Sequence, residues 1–256
     1  SGVLGELFKK KVSGKPTRVL AGKGEGGLYV AELEPSSERT AFVKQYRPAL
    51  AQAVEKGALL SGEDMLAILE QSLGGLDELL GLFAVMSFVD SGEFDRVVVD
   101  LGSTPHVLRH LELAPAFRKF LGLARGEKPK GASKKDALRP SLDELVARVE
   151  KLQALLGDAS KTTFHLVTLG EPVSETQTRA LFNALRERSV HLSEIVANQI
   201  EEAAGCPACF GRRGLQAPHV RKYQGLDKGV PVTLLGKREA PPRTFEALKK
   251  FAREWQ

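Results

Sequence analysis

The chain has 256 residues, room for one large α/β domain with a sizeable core, and its 42% apolar content is ordinary for a globular protein. No stretch reaches the roughly 18 apolar residues of a membrane span and the N-terminus lacks the apolar core of a signal peptide, so a cytoplasmic protein is expected. The net charge of +5 comes from 37 basic and 32 acidic residues that are interspersed, with no aromatic and basic stacking platform, which argues against a nucleic-acid partner.

The first expected element is a helix over residues 2–11, with Val3, Leu4, Leu7 and Phe8 at helical spacing and a turn at Ser13-Gly14-Lys15-Pro16. Gly22-Lys23-Gly24-Glu25-Gly26-Gly27 has the glycines of a phosphate loop but not its context. Such a loop follows a strand and opens a helix with Lys-Ser/Thr at its end, whereas this one precedes a strand expected over 28–33, so it reads as a turn. Residues 38–90 read as helical, with Leu59, Leu60, Met65, Leu66, Leu69, Leu73, Leu76, Leu79, Leu80, Phe83 and Val85 supplying wide apolar faces broken at Gly74-Gly75.

Val97, Val98 and Val99 form a β-branched run, which predicts a central strand buried on both faces of a mainly parallel sheet and ending at the carboxylate of Asp100. Gly102, Ser103, Thr104 and Pro105 then make a small-residue turn before Val107, Leu108, Leu111 and Leu113 begin a helix. Hydroxyls and backbone N–H groups thus gather at a helix N-terminus beside a carboxylate, where a nucleotide phosphate and its metal sit in an open α/β sheet.

Asp100, Thr104, His106, Leu108 and Arg109, in the pattern Asp-x-x-x-Thr-x-His-x-Leu-Arg, resemble the second switch segment of the ArsA and guided-entry ATPases, the arsenical-pump-driving and tail-anchored-protein targeting family. The family form is Asp-Thr-Ala-Pro-Thr-Gly-His-Thr-Leu-Arg, and this chain differs from it at Leu101, Gly102, Ser103, Pro105 and Val107. Gly75-Leu76-Asp77-Glu78 is similar to a Pro-Gly-x-Asp/Glu-Glu phrase that the family carries in the same order. The resemblance implies a P-loop NTPase-like fold of the SIMIBI type: one α/β domain over 1–256, with a helical insertion over about 38–90 and 110–156. It also implies ATP and Mg²⁺ as cofactors, with Asp100 holding the metal through water and Thr104 and the Gly102 turn sensing the γ-phosphate.

Residues 108–121 and the positions Leu142, Leu145, Val146, Val149, Leu152, Leu155 and Leu156 read as amphipathic helices around a polar loop at 127–135. In the targeting members this region receives hydrophobic clients in a methionine-rich groove; here there are two methionines, Met65 and Met86, so the stripes read as core. A second buried strand is expected at 164–169, stopped by Gly170-Glu171-Pro172. The helix after it opens at Ser174, with Gln177 completing a capping box and Leu181, Phe182 and Leu185 on its apolar side. A further strand at 194–197 delivers Asn198 and Gln199. In the family an Asn at this place reads the adenine base, a task an amide suits because it donates and accepts at once.

Cys206-Pro207-Ala208-Cys209, followed by Arg212-Arg213, has the spacing of half a tetrahedral zinc site, and the chain holds no other cysteine. Two readings stay open: one zinc shared by two subunits, or a redox or inert thiol pair. The family's Cys-Pro-x-Cys resembles it, and in the targeting members holds zinc across a dimer axis. A homodimer, or a heterodimer with a homologue, and a membrane-protein partner or client are therefore expected. A last strand at 232–235 and an amphipathic helix at 244–255 close the chain.

The family's first strand, its loop Gly-Lys-Gly-Gly-x-Gly-Lys-Thr and its first switch Asp are absent from these 256 residues. Without the loop the chain by itself is expected not to hydrolyse ATP. The leading expectation is an ATPase of this family seen without its phosphate-loop segment; the alternative is a non-catalytic partner of a homologous ATPase.

Overall fold

Three strands, two of them followed by a helix that folds back over the same face, build the sheet that carries the candidate site. The computed structural model describes residues 3–21, 26–33, 40, 42, 44–45, 76–101, 139–202, 205–238, 240 and 242–254. They divide into two compact units, Ser1–Glu32 with Leu156–Gln256, and Leu33–Leu155.

The first unit opens with α1 (Val3–Phe8) and an antiparallel pair, β1 (Thr17–Ala21) and β2 (Gly27–Val30), with Thr17 opposite Val30 and Ala21 opposite Gly27. An added Cβ on Gly27 would stand 2.9 Å from the Leu20 carbonyl, so only glycine permits this cross-strand approach. The parallel sheet follows, in the order β3 (Phe164–Leu169), β4 (Leu192–Ile200), β5 (Val232–Gly236). Between these strands run α4 (Pro172–Glu187) and α5 (Pro207–Gln224), and α6 (Phe245–Glu254) ends the chain. Register places Leu166 and Thr168 on one face with Ile195 and Ala197, all four buried, and the helices lie on that face. Burying Ile195 and Val196 completely contributes about 1.5–3 kcal/mol each. The other face carries His165, Glu194 and Thr233; Glu194 accepts from Thr233 Oγ1 at 2.7 Å and from His165 Nδ1 at 2.9 Å. Burial works to raise the Glu194 carboxyl, but the Thr233 hydroxyl and His165 outweigh it and hold it below its ordinary value.

The second unit is described through α2 (Leu76–Asp90) and α3 (Arg139–Gly157). Leu79, Leu80, Leu82, Phe83 and Met86 of α2 are buried and lie on one face, under half its circumference, and Leu145, Val146, Val149 and Leu152 of α3 are buried as well. Arg148 stacks over the Phe83 ring at 4.6 Å and Lys151 meets Asp90 at 2.6 Å, so the two helices are tied by a cation–π contact and an ion pair. Met86 is thus core, while Met65 lies outside the described residues. Gly92, with φ of +66°, takes the left-handed turn that ends α2.

Three expectations are corrected. Residues 97–99 form no strand: Val98 is 88% exposed, Val99 is 40% exposed, and Asp100 follows on irregular, exposed backbone. A β-branched run favours extended backbone, but a parallel strand exists only through ladder bonds on its flanks, and no described strand pairs with this one. The helix after β3 starts not at Ser174 but at Pro172, with Glu171 as its cap and no side-chain capping bond. Proline at the first helical position has its φ already set and no N–H to satisfy. β4 is also longer than 194–197, since its flanking residues continue the ladder with β3. Among the described residues no helix is long and apolar enough to cross a membrane.

Candidate nucleotide-base site at the carboxyl edge of the sheet

In an open parallel sheet, ligands bind beyond the carboxyl ends of the strands. Here that edge is made by Leu169 and Gly170 after β3, and by Asn198, Gln199, Ile200 and Glu201 at the end of β4. Asn198 is in register with Leu169 and half-buried; Gln199 is exposed, with φ of 56°. Asn198 Oδ1 accepts from the Gln199 N–H at 2.8 Å, which fixes the plane of the Asn198 amide and leaves a second lone pair on that oxygen.

Behind this edge a chain of hydroxyls anchors β3 to both helices. Thr178 donates to Thr168 at 2.6 Å, Thr168 to the Tyr223 oxygen at 3.4 Å, and Tyr223 to the Leu169 carbonyl at 2.6 Å. Tyr223 is 1% exposed, and burial pushes its phenol above the ordinary value. Gln216, also buried, donates from Nε2 to the Gln199 carbonyl at 3.0 Å and accepts the Glu201 N–H on Oε1 at 2.8 Å. Beside Gln216, Val220 and Leu234 floor an open cleft rimmed by Glu201, Glu202, Arg213 and Arg221, a mixture that selects neither sign of charge.

Glu175 links α4 to α5. It accepts from His219 Nδ1 at 2.6 Å, Lys222 Nζ at 2.8 Å and Arg179 Nη2 at 3.3 Å. Lys222 first, then His219, draw its carboxyl down from 4.5 to about 2. A carboxylate with a depressed native pKa contributes stability above its unfolded value and loses it as the native group protonates. Glu175→Gln is therefore expected to lower the thermal midpoint at neutral pH, with the gap to the native chain closing as the pH falls from about 4.5 toward 2. Unfolding midpoints of both chains across that range check this; a gap that stays constant on acidification would count against an ionised Glu175.

Cys206 caps α5: its sulfur accepts the Cys209 N–H at 3.1 Å, Pro207 takes the first helical position, and the two Cα atoms lie 5.2 Å apart. The structure joins the two sulfurs as a disulfide. Among the described residues no group of three or more His, Cys, Asp and Glu side chains could hold a metal. Reduced, the pair offers two thiolates at a helix N-terminus, half of what tetrahedral zinc requires, so a fit needs a second copy's pair.

Of the other expected site residues, Asp100 is described, exposed and in the second unit. Gly102 and Thr104 lie outside the described residues. Sequence reasoning missed Gln216, Gly170 and the Glu175 cluster. The signal for Gln216 was available, because a polar residue one and two turns before the buried Val220 and Tyr223 sits on the inward face of the helix.

A family model described as anion-transporting ATPase matches residues 3–254. The chain is similar to "ATPase get3" of Schizosaccharomyces pombe, 26% identical over 208 residues that cover 75% of this chain and 63% of that protein. It is also similar to "ATPase asna-1" of Caenorhabditis elegans, 25% identical over 97% of this chain and 80% of the relative. "ATPase ASNA1 homolog 1" of Paramecium tetraurelia is 24% identical over 97% of this chain and 78% of the relative.

Proposed function

We propose, from the premise that this chain belongs to the anion-transporting ATPase family, that it is an ATP-binding protein whose residues supply the base end of the nucleotide site. The observation that carries this reading is the placement of Asn198 and Gln199 at the carboxyl end of β4, beside the end of β3, where open parallel sheets bind their ligands. Asn198 is assigned to the adenine edge, with Gln199 beside it. Asp100, an exposed carboxylate, is a hard oxygen donor of the kind that holds Mg²⁺ through water, and Thr104 and Gly102 are assigned to the γ-phosphate. Held there through water by Asp100, magnesium would supply charge neutralisation to the phosphates. The unit Leu33–Leu155, described through α2 and α3, is read as the helical insertion of a single ATPase domain. Titrating the chain with ATP and with GTP tests the reading: preference for ATP is expected, and equal affinities would count against it.

The alternative reading is a non-catalytic partner on the same fold that pairs with a homologous ATPase. Both readings place the protein in the cytoplasm, acting as a homodimer or heterodimer with a membrane-protein partner or client.

The Cys206 and Cys209 thiolates of the reduced chain are assigned to a zinc shared between two copies. Metal analysis of the reduced protein should return about one zinc per two chains, since tetrahedral zinc takes four ligands and each chain gives two. Replacing both cysteines by serine should remove the metal and weaken the dimer while the chain stays folded. One zinc per monomer, or none in a stable reduced dimer, would sink the shared site.

A further inference from the structure

We infer that Gln216 is a positioning residue for the base end of the site, its side-chain amide standing in for a neighbouring strand where β4 leaves its ladder. This rests on the assignment of Asn198 to the base. β4 and β5 keep register from Ile195 opposite Val232 to Ala197 opposite Leu234, then shift before Ile200 meets Gly236. Inside that shift Gln199 holds φ of 56°, the left-handed region that a residue with a side chain enters only when its surroundings hold it there, at a cost of about 1–3 kcal/mol.

The strained residue's own carbonyl and the Glu201 N–H two residues on are both bound by Gln216, at 3.0 and 2.8 Å. An amide is suited to this because, like a peptide group, it offers a donor and an acceptor in one plane. Methionine at this place would leave the Glu201 N–H buried without this partner and take the donor from the part-buried Gln199 carbonyl, and glutamate would set a charge against that carbonyl. Gln216 reaches the edge because the residue just after β3 has no side chain: an ideal Cβ on Gly170 would lie 3.0 Å from Gln216 Cβ and 3.1 Å from Cγ. Gly170 is therefore the other half of the device. The consequence for Asn198 is direct. Its Oδ1 takes the Gln199 N–H, so the residue that Gln216 fixes by its carbonyl also aims the Asn198 amide by its N–H.

The test has two readouts on the full reduced chain. The first is amide hydrogen exchange across residues 195–202 without nucleotide, in the native chain and in Gln216→Met. The Glu201 amide should exchange about tenfold faster in the variant, the equivalent of one lost buried hydrogen bond, with β3 unchanged. Unaltered exchange would overturn the clamp. The second is the ratio of affinities for ATP and GTP, which should fall by about tenfold in Gln216→Met, and by less in Gln216→Glu, which keeps the acceptor for the Glu201 N–H. Faster exchange with an unchanged ratio would overturn the positioning role and leave a structural one. A native chain with no ATP preference would overturn the assignment of Asn198 and the effect on nucleotide choice, while exchange still decides the clamp. If Gln216→Met does not fold, Gly170→Ala, which displaces the same side chain, carries both readouts.

Discussion

Phosphate release from ATP by the 256-residue chain is expected to stay at the no-enzyme background. Phosphoryl transfer leaves a protein little covalent chemistry to perform, so the rate comes from holding the β- and γ-phosphates in line and from neutralising charge as it spreads over the γ oxygens. A loop of backbone N–H groups, its lysine and its Ser or Thr on the metal do most of that. The two lysine-bearing segments that invite such a reading do not supply it. Gly26-Gly27 runs into β2 rather than a helix, and Lys161-Thr162 closes a turn on the Asp158 carbonyl and is followed by β3. Asp100 and Thr104 could then bind metal and phosphate only weakly and could not align an attacking water. Colourimetric phosphate release under saturating ATP and Mg²⁺ measures this. Release above background that disappears in Asp100→Asn would contradict it, because it would require a complete catalytic site within these residues.

How much of this was legible in the sequence differs between the two halves of the sheet problem. Residues 164–169 were readable because a short apolar run stopped by Gly170 and Pro172 has few other uses, and the structure makes them β3 with the same ends. The helix that follows was readable from Leu181, Phe182 and Leu185, all buried, but its start was misplaced, because Ser174 and Gln177 imitate a capping box inside a helix that Pro172 had already begun. The valine run at 97–99 misled in the opposite way. β-branching is a local preference, whereas a parallel strand is a property of its neighbours, and sequence pattern cannot say whether those neighbours are in place.

The position of Asn198 was legible, and the residues around it were not. Asn198 was placed at the end of an apolar strand, and the structure has it there, yet Gln216 and Gly170, on which its setting depends, are 18 and 28 residues away along the chain and meet only through tertiary packing. The Glu175 cluster is hidden for the same reason, since His219 and Lys222 reach it from another helix. The Cys-Pro-x-Cys spacing left a shared zinc and a redox or inert pair both open; the structure adds that Cys206 starts α5 and that the two sulfurs are joined.

Asn198→Leu is expected to abolish the preference for ATP over GTP while leaving the affinity for GTP nearly unchanged. The Asn198 amide can donate to a ring nitrogen and accept from the exocyclic amino group of adenine, whereas guanine presents two acceptors on the corresponding edge, and one such pairing discriminates by about 1–3 kcal/mol, or roughly 5- to 150-fold. The Oδ1 bond from the Gln199 N–H uses one lone pair and leaves the other, with both amide hydrogens, for the base. Leucine keeps the volume and removes the amide, so phosphate and ribose contacts, whatever their strength, are the same for both nucleotides and cancel in the ratio. The decisive measurement is equilibrium titration of native chain and Asn198→Leu with ATP and GTP, under one buffer and metal concentration. Preference for ATP in the native chain that falls to about one in the variant is the expected result. A native chain indifferent to the base, or a preference that survives the substitution, would contradict the placement of adenine at the carboxyl end of β4.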